Sequence, residues 1–203
     1  MTKKVRTAVL ISGRGSNLAA LIEACRDPAF PAEIALVFAN VETADGMRVA
    51  AAAGIPAKII SHKVFASREE FDTAIDAALT QAKIELICEA GFMRIHSDDF
   101  VRKWQGKMLN IHPSLLPSFK GIRVHQQALD AGVRISGCTV HFVVPELDSG
   151  PIIAQAAVAV FPDDTVATLQ DRILAEEHKL YPAALKMVAE GRVVLENGKT
   201  VFA

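Results

Sequence analysis

The sequence predicts an α/β fold, a mostly parallel twisted sheet with helices on both faces that turns antiparallel toward the C-terminus. Two observations predict it. Short continuous apolar runs alternate with stretches of helical period as far as His112, as expected for strands buried on both faces and joined by crossover helices. Beyond residue 132, two longer apolar runs follow one another across a Pro/Gly loop, which suits an antiparallel pair.

Residues 7–12 (TAVLIS) form the first buried strand, and Gly13-Arg14-Gly15-Ser16 turns it into a helix that begins near Asn17. A second strand spans 34–39 and ends at Asn40. A helix over 44–53 follows it and stops at Gly54. A short strand at 57–60 precedes a helix over 67–82, where Phe71, Ile75 and Leu79 recur every fourth residue. A third buried strand at 86–88 is closed by Gly91, and residues 98–104 form a short helix. The strand at 107–112 is stopped by Pro113 and Pro117. The two later strands span 135–143 and 152–160. A long helix runs over 164–190, with Pro182 a candidate bend, and residues 193–202 form a hairpin turning on Asn197-Gly198. Residues 1–203 read as one domain without repeats or low-complexity linkers.

Charge is balanced, 22 Lys+Arg against 23 Asp+Glu, so no global basic field exists to hold nucleic acid or an acidic membrane. A single phosphorylated small molecule needs only one local site and remains open. The three cysteines, Cys25, Cys88 and Cys138, lie far apart in apolar stretches and read as free thiols rather than a disulfide or zinc framework. The basic N-terminus is followed by an apolar run too short for a signal peptide, and nothing approaches the ~18 apolar residues of a membrane span. The expectation is a soluble, cytoplasmic protein. His62, His96, His125 and His141 show no metal-ligand spacing, so no metal is expected.

Three stretches carry chemistry. The turn Ser12-Gly13-Arg14-Gly15-Ser16-Asn17 offers backbone N–H groups at a helix N-terminus, a ready anion site, although a plain strand-to-helix turn reads the same way. It lacks the Lys-Ser/Thr end of a nucleotide P-loop and the third glycine of a dinucleotide fingerprint, so a single phosphate is favoured. In Asn110-Ile111-His112-Pro113-Ser114, Asn110 and His112 project from one face of a strand at its carboxyl end, where open α/β sheets place ligands. An amide donor beside an imidazole suits a developing oxyanion, while strand capping is the plainer alternative. Asp148, in the loop between the later strands, is an ordinary turn former unless it folds back onto His112, where it would hold the ring as an imidazolium.

Two further positions stand out. Gly91-Phe92-Met93-Arg94-Ile95 follows a strand end and can face a flat heterocycle. Glu177 falls on the stripe formed by Val166, Leu169, Ile173 and Leu180 in the long helix, and an inward acid needs a partner: a bound amine, a ribose hydroxyl, a backbone cap or an arginine such as Arg172.

Taken together, Ile11-Ser12-Gly13-x-Gly15-Ser16-Asn17-Leu18, Ala90-Gly91-Phe92-Met93-Arg94-Ile95, Asn110-Ile111-His112-Pro113-Ser114-Leu115-Leu116-Pro117, His141-Phe142-Val143 through Glu146-Leu147-Asp148-x-Gly150-Pro151, and Glu177-His178-x-x-Tyr181-Pro182 closely resemble the phosphoribosylglycinamide formyltransferases over nearly the whole chain. The resemblance implies a Rossmann-like formyltransferase fold. It also implies transfer of a formyl group from the co-substrate 10-formyltetrahydrofolate to the amine of 5-phosphoribosylglycinamide in purine biosynthesis. Direct attack would give a tetrahedral intermediate stabilised by Asn110 and His112. It implies Asn110, His112 and Asp148 as the catalytic trio, and Gly15, Ser16, Asn17 and Glu177 at the phosphoribosylglycinamide. Arg68, Met93, Arg94, Ile95, His96 and Asn110 would serve the folate, Arg68 near its glutamate tail. Partners would be small molecules, and a homodimer is compatible with the resemblance.

Two departures bear on affinity: His96 stands where the family usually has an aliphatic residue, and Leu174 where relatives often carry a polar one. The related formyltetrahydrofolate hydrolases and methionyl-tRNA formyltransferases are disfavoured, since they usually carry an extra N-terminal domain or a C-terminal β domain with a basic face. A non-catalytic nucleotide-binding module would leave the Asn110/His112 pairing and inward Glu177 unexplained.

Overall fold

The computed structural model describes residues 3–203. In chain order, β1 (Val5–Ile11), α1 (Ser16–Cys25), β2 (Ala32–Ala39), α2 (Gly46–Ala52) and β3 (Ala57–Ile59) build one half of a sheet. The chain then returns through α3 (Arg68–Gln81), β4 (Leu86–Glu89), α4 (Asp98–Lys103) and β5 (Met108–His112). It continues with α5 (Val124–Asp130), β6 (Ile135–Phe142), β7 (Ile152–Ala159), α6 (Val166–Ala189), β8 (Val193–Glu196) and β9 (Lys199–Phe202). The seven-stranded sheet has the order β3-β2-β1-β4-β5-β6-β7, with β8 and β9 pairing separately. Strands β3 to β5 are parallel, while β6 runs antiparallel to both β5 and β7.

The alternation along β1 explains the two cores. Val9 and Ile11 face one side, against Leu18 and Leu21 of α1 and Tyr181 of α6. Ala8 and Leu10 face the other, against Phe71, Ile75 and Leu79 of α3. A third cluster joins Cys138 and Val158 of the antiparallel strands to Leu169 and Ile173 of α6. Each fully buried Leu or Ile contributes about 1.5–3 kcal/mol of transfer free energy, which is why these runs are continuous.

The parallel half follows the sequence reading, but the C-terminal half departs from it in two ways. Helix α5 lies in a stretch where no helix is predicted. On α6, the buried stripe is Leu169, Ile173, Glu177, Tyr181, Ala184 and Leu185, whereas Val166 is exposed and Leu180 half-buried. The tyrosine belongs to this stripe because its hydroxyl donates to the carbonyls of Glu89 and Leu109, which cross-links α6 to β4 and β5. Pro182 lies inside one continuous helix. Cys88 and Cys138 are buried and Cys25 half-buried; all three are free, with burial pushing their thiols up to about 11 for Cys25 and about 12 for the others.

The topology fixes where a ligand can bind. From β1 the chain winds outward through β2 and β3, then crosses back to β4 on the other side of β1. That reversal opens a crevice above the carboxyl ends of β1 and β4. Glu89 at the end of β4 pairs in register with Asn110 of β5, which itself lies opposite His141 of β6.

Candidate active site

A cavity of about 740 Å³ occupies that crevice, and its walls come from the turn after β1, the loop after β4, the end of β5, the loop before β7 and one face of α6. At one end, Gly15 adopts φ 77° as the N-cap of α1, and a Cβ there would meet Gly46 Cα at 2.5 Å, so only glycine allows α2 to approach this turn. No side chain caps α1 and no acid stands in its first turn. The N–H groups of Ser16 and Asn17 therefore open α1 toward the cavity with the positive end of the helix dipole, which suits an anion.

Glu177 closes this end. It is buried, and its Oε2 accepts from Asn17 Nδ2 at 2.7 Å rather than from Arg172, which pairs with Asp164 at 2.7 Å. Burial pushes the carboxyl up, only partly offset by the Asn17 hydrogen bond. Asn17 Oδ1 is buried without a donor, so a ligand hydroxyl or amine in this end would satisfy it.

The centre of the cleft brings the predicted trio together. His112 Nε2 lies 2.9 Å from the carbonyl oxygen of Phe119; since a carbonyl only accepts, Nε2 carries the hydrogen. Nδ1 therefore faces Asp148, whose Oδ1 is 3.6 Å away, too far for a hydrogen bond and close enough for a charge pair. Gly121 N donates to the other Asp148 oxygen at 2.8 Å. Asp148 holds this position with φ 47°, a left-handed conformation that a short polar side chain tolerates. Gly150 lets the loop close tightly on β6, because a Cβ there would lie 1.6 Å from the Phe142 oxygen. The sequence expectation of a ring that both meets Asp148 and donates to substrate thus narrows to one atom, Nδ1.

Sequence reasoning missed His141. Its Nδ1 donates to the carbonyl of Phe142 at 2.9 Å, leaving Nε2 to accept from Asn110 Nδ2 at 3.2 Å. Burial lowers its pKa, which suits this neutral acceptor role. It fixes the Asn110 amide and leaves that residue's other N–H available. The antiparallel register of β5 with β6 was the signal that could have found it.

The other end of the cleft is built by the loop after β4. Ser12 Oγ accepts from Met93 N at 2.8 Å and Ser12 N donates to Gly91 O at 3.2 Å, tying this loop to the anion turn. Met93, Arg94 and Ile95 are exposed and line the cavity. Arg68 is not part of the cavity lining; it reaches the rim, with Nη1 3.5 Å from the His96 carbonyl. His96 is buried between carboxylates: Nδ1 lies 2.7 Å from Asp72 and Nε2 2.9 Å from Glu89, another residue that sequence reasoning missed. Burial opposes a charge on this ring, but the hydrogen bonds to Asp72 and Glu89 outweigh it and lift its pKa to about 9. Among the described residues no cluster of three or more His, Cys, Asp or Glu has the arrangement to hold a metal ion, and no helix is long and apolar enough to cross a membrane.

An amide, an imidazole and a carboxylate thus stand around one point, with an uncapped helix N-terminus on one side and a loop-lined slot on the other. Comparison with known proteins gives the family. The Formyl transferase family matches residues 5–185. The chain is 41% identical over 192 residues to the phosphoribosylglycinamide formyltransferase of Haemophilus influenzae, covering 95% of this chain and 91% of that protein. The crystal structure of glycinamide ribonucleotide transformylase 1 from Symbiobacterium toebii superposes with a TM-score of 0.95 at 43% identity, covering 98% of this chain and 94% of that one. The human trifunctional purine biosynthetic protein adenosine-3 is 57% identical over 198 residues, 97% of this chain, and the chain spans only 20% of that relative's length. The chain therefore belongs to the formyl transferase family, with phosphoribosylglycinamide formyltransferases among its full-length relatives.

Proposed function

We propose that this chain transfers the formyl group of 10-formyltetrahydrofolate to the amine of 5-phosphoribosylglycinamide in purine biosynthesis, acting in the cytoplasm. The observation that carries the reading is the convergence of Asn110, His112 and Asp148 between the anion turn and the slot after β4. The phosphate lies on the N–H groups of Gly15, Ser16 and Asn17, and Glu177 holds the glycinamide end with its amine toward the centre. The heterocycle lies along residues 93–96, with Arg68 at the rim for an acidic tail.

The amine nitrogen attacks the formyl carbon, and the carbonyl electrons move onto oxygen. Asn110 and Nδ1 of His112 donate to that oxyanion, a contribution of about 3–4 kcal/mol per donor at such sites. Asp148 balances the positive charge the ring carries when it donates from both nitrogens. As the bond to the folate nitrogen breaks, the amine's proton passes to that leaving nitrogen, through a water that Asp148 can orient.

The test is formyl transfer from 10-formyltetrahydrofolate, measured with and without 5-phosphoribosylglycinamide. Folate release that requires the amine substrate and yields formylated product supports the reading. Release at the same rate without the amine would make the chain a hydrolase, and no turnover would make it a binding module.

A further inference from the structure

The Asp72–His96–Glu89 cluster is not needed by the chemistry above, yet it is built with care. Both ring nitrogens of His96 contact carboxylate oxygens, and ionised carboxylates only accept, so the geometry calls for an imidazolium with two donors. The ring is sandwiched between Phe92, 5.3 Å between centroids with planes 14° apart, and Phe100, 4.4 Å and 21°. Those faces stabilise a cation and leave the ring no second orientation. Asp72 is fixed in turn, because its other oxygen accepts from Ser97 N at 2.5 Å.

The chain of contacts ends at Glu89, whose Oε1 is taken by His96. Among the described residues nothing donates to Oε2, and that atom is not sealed in the interior. Glu89 lines the cavity at the last residue of β4, and its register partner is Asn110, so both side chains leave the sheet on the same face. An acceptor atom therefore looks into the heterocycle end of the cleft beside the reacting centre. The titratable groups facing it are His96 of the loop after β4, which carries the charge, and, across the sheet, the neutral His141 of β6; Asp72 and Arg68 of α3 face the His96 side chain and carbonyl respectively.

We propose that Glu89, positioned by the Asp72–His96 pair, is a specificity-determining residue that reads the donor edge of the co-substrate's heterocycle. A 2-amino-pyrimidinone presents an exocyclic amino group next to a ring N–H, and one fixed carboxylate oxygen discriminates for that edge against an analogue lacking the amino donor. The inference rests on the folate reading of the slot and extends it. It assigns recognition to a side chain on β4 in addition to whatever the loop backbone supplies.

A ligand-and-protein cycle tests it. The probes are 5,8-dideazafolate, which keeps the amino donor, and its 2-desamino-2-methyl counterpart, which does not. Dissociation constants are measured by calorimetry for the unaltered chain, for Glu89→Gln, and for Glu89→Leu combined with His96→Leu and Asp72→Asn. The triple change removes every charge of the cluster and keeps an acceptor oxygen at position 72 for Ser97 N, so it keeps the test available if the single variant misfolds. The unaltered chain should prefer the amino ligand by at least ~100-fold, and both variants should cut that preference at least ~10-fold. A preference ratio that stays the same in the variants overturns the proposal. Failure of the unaltered chain to bind either probe overturns the folate reading itself, a distinguishable result.

Discussion

Glu177 and Glu89 are both buried acids at the rim of one cleft, yet they are satisfied in opposite ways. Glu177 meets a neutral amide, Asn17 Nδ2, and burial pushes its carboxyl up. Glu89 meets His96, whose pKa of about 9 keeps it charged at neutral pH, and that ring is itself anchored by Asp72. An acid left on a neutral partner is under-compensated and awaits a donor from a ligand. An acid locked to a cation is a fixed charge whose orientation is set before any ligand arrives. The two ends of the cleft thus use the same residue type for different purposes, an adaptable contact on α6 and a rigid one on β4.

The sharpest separation of the two ends comes from disabling the centre they share. His112→Ala removes one of the two proposed oxyanion donors and should lower kcat by about 10²–10³-fold. Binding of either ligand alone, measured by calorimetry, should change far less, because the ends do not depend on the ring. A large loss of affinity at both ends with an unchanged kcat would mean that His112 organises the cleft rather than the reaction.

The rigid end makes a prediction about pH. His96 titrates near 6.5 when unfolded and about 9 when folded, so the stability it provides is complete below pH 6.5 and is lost as pH rises through about 9. The loss across that window should be on the order of 3 kcal/mol, read as the difference between urea-unfolding curves of the unaltered chain and His96→Leu at each pH. The variant should be the less stable below pH 7, since it leaves two carboxylates without their cation, and should converge on the unaltered chain by pH 9–10. Parallel curves throughout would show that the ring carries no charge that matters.

How much of this was legible in the sequence follows the range of the interactions. The parallel half was readable because all its strands but the short, exposed edge strand β3 are largely buried, and Gly13, Gly54 and Gly91 mark the turns between elements. The anion turn, Asn110, His112 and Glu177 were readable because each stands out locally, by a glycine pair, a two-residue spacing or a polar break in an apolar stripe. Helix α5 was not: it is seven residues long, buries only Val124 and Ala128, and starts from Arg123 at φ 55° without a side-chain cap. The Asp72–His96–Glu89 cluster was hidden for another reason. Its members lie on a helix, a loop and a strand end, and only the crossover from α3 to β4 brings them together. His141 was invisible until β5 and β6 were known to pair.

The smallest predicted effect is also the one that bears most directly on the adaptable end. A carboxyl whose folded pKa is raised is destabilising once ionised, and the penalty grows as pH climbs from the unfolded value of 4.5 upward. Glu177→Gln removes that charge while keeping the shape, and its amide oxygen can still accept from Asn17. The melting temperature at pH 8 should therefore rise by about 2–4 °C, the equivalent of roughly 1 kcal/mol in a chain of this size, and the gain should shrink toward pH 5. In the same variant the KM for 5-phosphoribosylglycinamide should increase by about tenfold, because the amide cannot offer the substrate a second charged acceptor. A variant that is less stable at pH 8 would mean that Asn17 already compensates the acid, and the contrast between the two ends of the cleft would disappear. Higher stability without loss of substrate affinity would instead detach Glu177 from the amine and leave it a strained residue of the core.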